Sequence, residues 1–245
     1  GDRNDDIRCQ GTPASALGKF YWTRLSIMIY ARPMGRKKTF DEQAVIDAAI
    51  AVFSEHGYTG TDVGLVCERA GIGRSSFYNT FESLDAVFLR ALSDYTATGI
   101  PLREHLGASA LPVPVLVVER LGGALAQQCA DEKRTGCLSA NTAAELGREV
   151  DAVCTILDPD RAAWLTTYRA LLDRGQSEGH IRPDLDAAVT AELIHSVLAG
   201  LRVSARVMPA DNVQAQARTF VESLCTPDGV TALAAATPVP LPSST

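Results

Sequence analysis

Two short helical patterns joined by Ala70-Gly71-Ile72-Gly73 constrain this chain more than any other feature. From Thr61 to Arg69, Val63, Val66 and Cys67 recur at helical spacing, and Thr61 is the expected N-cap. From about Arg74 to Thr80 a second helix is expected, in which Phe77 and Phe81, four residues apart, face inward. That leaves Ser75, Ser76, Tyr78 and Asn79 on the outer face, with Arg74 at the start. Gly71 accepts the left-handed backbone of a tight turn, and Ala70 lets the helices approach closely. The plainer reading is a helical hairpin inside some core. It leaves the exposed Tyr78 beside Asn79 unexplained, whereas hydroxyl and amide groups on a short outer helix suit a DNA groove, where they donate to phosphate oxygens.

The flanking sequence extends the helical pattern. Ala44, Val45, Ala48, Ala49, Val52 and Phe53 define one face of a preceding helix that Gly57 stops, and Ser83 caps a following helix with Leu84, Val87, Phe88, Ala91, Leu92 and Tyr95 inside. Beyond Gly99-Ile100-Pro101 the period is lost for a dozen residues. Further helices are then expected over Pro112 to Ala130, Cys137 to Leu146, Glu149 to Ser177, Asp186 to Val207 and Asn212 to Leu224, with a kink or split at Pro159. Strand-like alternation is scarce, so the fold class is all-α: a DNA-binding domain over 34–83, a helical regulatory and dimerisation domain over 84–225, and a flexible tail over 226–245. Residues 1–33 show no sustained period and are expected to be disordered, with Met34 the natural start.

A net charge of -6 argues against a protein that coats nucleic acid, because counterion release needs many cationic contacts. Attraction for DNA must be concentrated. Arg36, Lys37 and Lys38, just before the first helix, are either solvated surface or an arm that follows the DNA backbone or enters the minor groove; the second reading fits the context. No apolar run reaches membrane-spanning length, so no membrane partner is expected. The six cysteines form no Cys-x-x-Cys pair, which reads as reduced thiols in a cytoplasmic chain with neither metal nor cofactor.

Taken together, Phe53, Gly57, Tyr58, Thr61, Val63, Ala70-Gly71-Ile72, Ser76-Phe77-Tyr78, Phe81 and Ser83 resemble the N-terminal DNA-binding domain of the TetR family of bacterial transcriptional repressors. The resemblance covers about 55 residues of the chain. It implies a three-helix head, a variable regulatory domain and a two-fold dimer on double-stranded operator DNA. It also implies a phosphate contact by Thr61 and a DNA face of Arg74, Ser75, Ser76, Tyr78 and Asn79. Two positions depart from the pattern: Gly73 stands where a Ser or Thr cap is usual, and Leu84 where many members carry Lys.

Signals in the second domain are less specific. Thr135 to Leu146 resembles a pocket-lining helix of one branch of that family, with Cys137, Asn141 and Glu145 as its polar positions. Cys137 is read either as a buried inert thiol or, with Cys129, as a redox or electrophile sensor, although the nearest basic residues in sequence are Lys133 and Arg134. Trp164, Tyr168 and His195 fit either a cavity for an unknown small-molecule effector or plain core. The apolar faces of 186–207 and 212–224, the former including Ala188, Ala191, Leu198, Ala199 and Gly200, carry small residues that allow close crossing and point to a homodimer interface. Four scattered histidines and the lack of any catalytic constellation argue against an enzyme. A chain shortened to begin at Met34 is expected to retain DNA binding in a mobility-shift assay, and loss of binding would contradict the reading of 1–33.

Overall fold

The computed structural model describes residues 40–130 and 135–236, apart from the side chains of residues 127 and 130. The segments 1–33, 131–134 and 237–245 and the arm Arg36, Lys37 and Lys38 lie outside the described residues. Among the described residues there are eleven helices and no strand longer than an isolated bridge. The head begins with α1 (Glu42–His56), whose N-cap Asp41 accepts from the Gln43 N–H, and ends at Gly57 with φ +72°. Next come α2 (Val63–Ala70), closed by left-handed Gly71, and α3 (Arg74–Thr80), whose N-cap Gly73 offers no side chain. Ser83 caps α4 (Leu84–Ala97) by accepting from the Ala86 N–H, as its sequence position led one to expect.

The apolar stripes of these helices close one core. Phe53, Val66, Phe77, Val87, Phe88 and Leu92 are buried together, and Phe53, Tyr58 and Phe88 interlock with ring centroids 4.7–4.9 Å apart. That core reaches past Ser83 into α4 and takes in Leu138 and Val153 from further along the chain. Leu84 packs against the same core.

The second core is built from α5 (Gly99–Ala108), α6 (Val113–Ala130), α8 (Asp151–Ser177), α9 (Ala187–Ser204), α10 (Ala210–Leu224) and α11 (Pro227–Ala235). Two expectations fail here, and of the kink or split foreseen at Pro159 the split is absent. The stretch after Gly99 is helical, and the supposed tail continues as α11 to Ala235, capped by Thr226 and seated against the His180 carbonyl through Gly229. In both cases proline falls in a first turn, where its missing N–H has no helical partner to lose. Helix α8 runs unbroken through Pro159 for 27 residues, or roughly 40 Å. Pro159 and Thr155, whose carbonyl loses its partner, are both exposed, so water can satisfy that carbonyl.

The head is tied to the rest of the chain by α7 (Leu138–Leu146). Its Glu145 carboxylate accepts from the backbone N–H groups of Tyr58 (2.8 Å) and Thr59 (2.6 Å), just past the end of α1. Asn141 Nδ2 donates to the Ser54 carbonyl at 3.4 Å and to that of Thr135 at 3.1 Å. A Cβ on Gly57 would stand 2.7 Å from Glu145 Oε2, so this glycine provides both the positive φ and the room. Burial pushes the Glu145 carboxyl up, but the hydrogen bonds from Thr59 and Tyr58 outweigh it and hold the carboxyl below its ordinary 4.5.

A depressed folded pKa contributes stability above the unfolded value that is lost as pH falls through the folded one. Glu145→Gln should therefore lower stability at pH 7 by about 1 kcal/mol, the low end for charge-assisted bonds because Glu145 is exposed, or roughly 2–4 °C in melting temperature. The gap between variant and wild type should close as pH drops below about 4.5, towards complete protonation. Thermal melts across that range check it; a gap independent of pH would contradict the clamp.

Candidate functional site

Helix α3 presents the face expected of it. Phe77 is fully buried and Phe81 packs beside it, ring centroids 5.3 Å apart. Arg74, Ser75, Tyr78 and Asn79 are exposed and Ser76 is half-buried; Tyr78 stands 58% exposed with its ring edge-on to Phe77 at 5.4 Å. An exposed phenol fixed against a buried ring is a preorganised donor for phosphate or base-edge contacts.

Thr61 has a different place from the one assigned to it. The N-cap of α2 is Asp62, whose carboxylate accepts from the Leu65 N–H at 2.9 Å. Thr61 is buried and its hydroxyl donates to the Gly57 carbonyl at 2.6 Å, which closes the α1–α2 connection. Asp wins the cap because its carboxylate lies one residue nearer the helix start and is favoured by the N-terminal dipole. Backbone N–H groups of Leu65 and Gly64, with the Arg74 guanidinium behind them, hold the Asp62 carboxyl below the usual range. Arg74 therefore reaches back over the start of α2, where its guanidinium and the Asp62 carboxylate flank Gly64.

In the second core, Trp164 and Tyr168 of α8 are stacked with centroids 5.5 Å apart and are 6% and 1% exposed. Arg120 of α6, only 8% exposed, places its guanidinium 4.1 Å from the Trp164 centroid, and Arg103 of α5 lies 5.1 Å from the same ring. Arg103 is paired with Asp160 at 2.9 Å. Arg120 makes no ion pair among the described residues and its Nε has no hydrogen-bond partner, while the Tyr168 hydroxyl lies against the same guanidinium with no acceptor for its own proton. Desolvating a cation costs several kcal/mol, more than the ~2 kcal/mol that a desolvated ring face returns. Burial accordingly pulls the Arg120 pKa down and pushes that of Tyr168 up, the latter opposed by Arg120 and Arg202.

Arg202 of α9 belongs to the same interior. Burial disfavours its charge, yet the neighbouring Cys137, Tyr95 and Tyr168 more than restore it and leave its pKa raised. Tyr95 is pushed up to about 12 by burial and by the nearby Cys137 thiol. Gln128 of α6 donates to the Arg202 carbonyl at 2.7 Å, while its own carbonyl oxygen has no partner. His195 is half-buried, its pKa lowered by burial and then by Arg161 and Arg120.

The structure thus brings Cys137, Trp164, Tyr168 and His195 to one interior, whereas Asn141 turns to the head. Sequence reasoning missed Arg120, Arg202, Arg103 and Tyr95. Arg120 had a legible signal, a cation inside the apolar stretch Val113–Leu121; Arg202 had none before α9 was packed. Its place beside Cys137 also supplies the basic neighbour absent from the local sequence. Among the described residues no group of three His, Cys, Asp or Glu could hold a metal ion.

Residues 45–91 match the model of the bacterial regulatory proteins of the tetR family, and residues 119–221 that of tetracyclin repressor-like C-terminal domains. The HTH-type transcriptional repressor ComR of Escherichia coli (strain K12) is 26% identical over 175 residues, 70% of this chain and 82% of that protein. The HTH-type transcriptional repressor DhaR of Mycobacterium sp. (strain GP1) is 28% identical over 152 residues, 62% of this chain and 75% of its own length. Among solved structures, a cysteine variant of the TetR family transcriptional regulator CifR, complexed with 26-bp double-strand operator DNA, superposes with a TM-score of 0.67 at 27% identity, covering 78% of this chain and 100% of that one. With both halves of the fold matched in order and the head's reading helix in place, the chain belongs to the TetR family of transcriptional regulators.

Proposed function

We propose that this protein is a homodimeric repressor that binds a palindromic operator through α3 and is released by a small molecule taken into the interior around Trp164 and Tyr168. The observation that carries the reading is α7. Its N-cap, Cys137, lies beside Tyr95 and Arg202, and its last turn holds the head through Glu145. Nine residues of helix therefore link the interior to the end of α1. A ligand that displaces the start of α7 changes the angle at which the head is held and favours a spacing of recognition helices that does not fit DNA. The relatives named as repressors and the relative solved on operator DNA support the DNA-binding half of the reading.

Support for the dimer comes from α9. Val189, Leu193, Ser196, Gly200 and Val203 follow one another at spacings of three and four and are all exposed, and Val207, 82% exposed, lies in the turn just past the helix. This stripe, with small residues at its centre, is the face that a second copy would cover. Ala191 and Leu198, two of the small and apolar positions first assigned to the interface, are instead buried in the chain's own core, because they lie on the opposite side of the helix. Helix α9 also has the length and mean hydropathy of a membrane span, but it buries Thr190, Ala191, Ile194, Leu198 and Leu201 against protein.

Cys137 favours a second reading, in which an oxidant or electrophile acts on the half-buried thiol at the start of α7, beside the Arg202 guanidinium. Cys129, its companion in that reading, packs against the second core.

Selection from a random DNA pool should enrich a palindrome whose half-sites lie about one turn, roughly 34 to 36 Å, apart. Val203→Asp should yield a monomer by sedimentation and weaken binding to the enriched DNA at least tenfold; an unpaired or absent motif contradicts dimeric recognition. Cys137→Ser should leave operator binding unaltered by redox state, with wild type equally insensitive to oxidant if the small-molecule reading holds. Oxidant release of wild type alone would establish the thiol reading instead.

A further inference from the structure

Resting on that reading of the interior, we infer that the effector is a small organic carboxylate whose headgroup is held by the Arg120 guanidinium, with the Tyr168 hydroxyl as a second donor. Arg120 is 8% exposed and Tyr168 is 1% exposed, so neither group reaches bulk water. The Arg120 Nε–H lacks a partner, and the Tyr168 hydroxyl, which lies against the same guanidinium, has no acceptor for its own proton; donors left unfilled at this depth call for an acceptor. A guanidinium keeps its proton under all ordinary conditions, and its planar fork matches a carboxylate.

The protein's own carboxylates do not serve. Asp160 is engaged by Arg103 at 2.9 Å, and Glu192 by Arg161. Arg202 adds a second cation to the same interior, where Cys137, Tyr95 and Tyr168 are its neighbours and none of them is a carboxylate. With Arg103 and Asp160 paired, Arg120 and Arg202 are two further cations in the interior, and the Trp164 ring covers one side of Arg120. The partnerless carbonyl oxygen of Gln128 gives a hydroxyl or amide elsewhere on the ligand an acceptor.

The test follows the melting temperature of the full-length protein. Benzoate and octanoate are compared with benzamide and octanamide at millimolar concentration, beside inorganic phosphate, in wild type, Arg120→Met and Arg120→Lys. At least one carboxylate should raise the melting temperature of wild type while its amide does not. Arg120→Met should abolish that response and, with no probe present, melt roughly 2–4 °C higher than wild type, because an uncompensated buried charge has been removed. Arg120→Lys should retain a weaker response. An Arg120→Met protein that melts lower or fails to fold, amides as effective as carboxylates, stabilisation by phosphate alone, or no response to any carboxylate would each overturn the assignment. Operator release is measured separately with the same probes. A carboxylate that binds through Arg120 without loosening the operator leaves this site standing and removes the release reading, whereas release by neutral compounds does the reverse.

Discussion

The geometry of this regulator depends on a carboxylate reaching across the molecule to two amide protons. Glu145 accepts from the Tyr58 and Thr59 N–H groups at the point where α1 ends, and Gly57 keeps the space open for it. Asn141, one turn earlier on α7, adds a weaker bond to the Ser54 carbonyl. Leu138 and Val153 carry the head's core into the regulatory half, so head and body share packing as well as polar contacts. A short helix with polar groups gripping the head at one end and an ionic interior at the other can transmit a displacement of less than an ångström, because packed interfaces of this kind settle into discrete arrangements.

The interior at the other end is unusual for its charge. Apolar cores are stable without help, but a guanidinium at 8% exposure with an unfilled donor is a standing cost. Retaining it makes physical sense where a ligand of opposite charge relieves that cost, since binding then draws on both the ion pair and the removal of an unsatisfied group. Under the proposed binding, relief of that cost supplies free energy with which a ligand could shift the head.

What could be read in the sequence followed from local rules. The division between inward Phe77 and Phe81 and outward Arg74, Ser75, Tyr78 and Asn79 is a matter of helical period, and Gly71 and Ser83 act on their immediate neighbours. Errors arose where a local rule was applied too strictly. The stretch after Gly99 and the segment from Thr226 were read as irregular, although Pro101 and Pro227 each sit in the first turn of a helix where proline is welcome, and Thr61 was read as the cap that Asp62 supplies. The Glu145 contacts span 86 and 87 residues of sequence and have no local signature. The same holds for Arg202, which meets Tyr95 and Cys137 only after α4, α7 and α9 assemble, and for the exposed stripe of α9, where helical phase alone does not say which apolar face the chain itself will bury.

The central claim is that the Glu145 clamp differs between the operator-bound and free states. Amide hydrogen exchange at Tyr58 and Thr59, compared with Val52 and Phe53 inside α1, addresses it directly. The account predicts that the two clamped amides exchange at different rates in free and operator-bound protein, that the α1 amides do not, and that Glu145→Gln removes the difference. Equal exchange of Tyr58 and Thr59 in both states of the wild-type protein would contradict it.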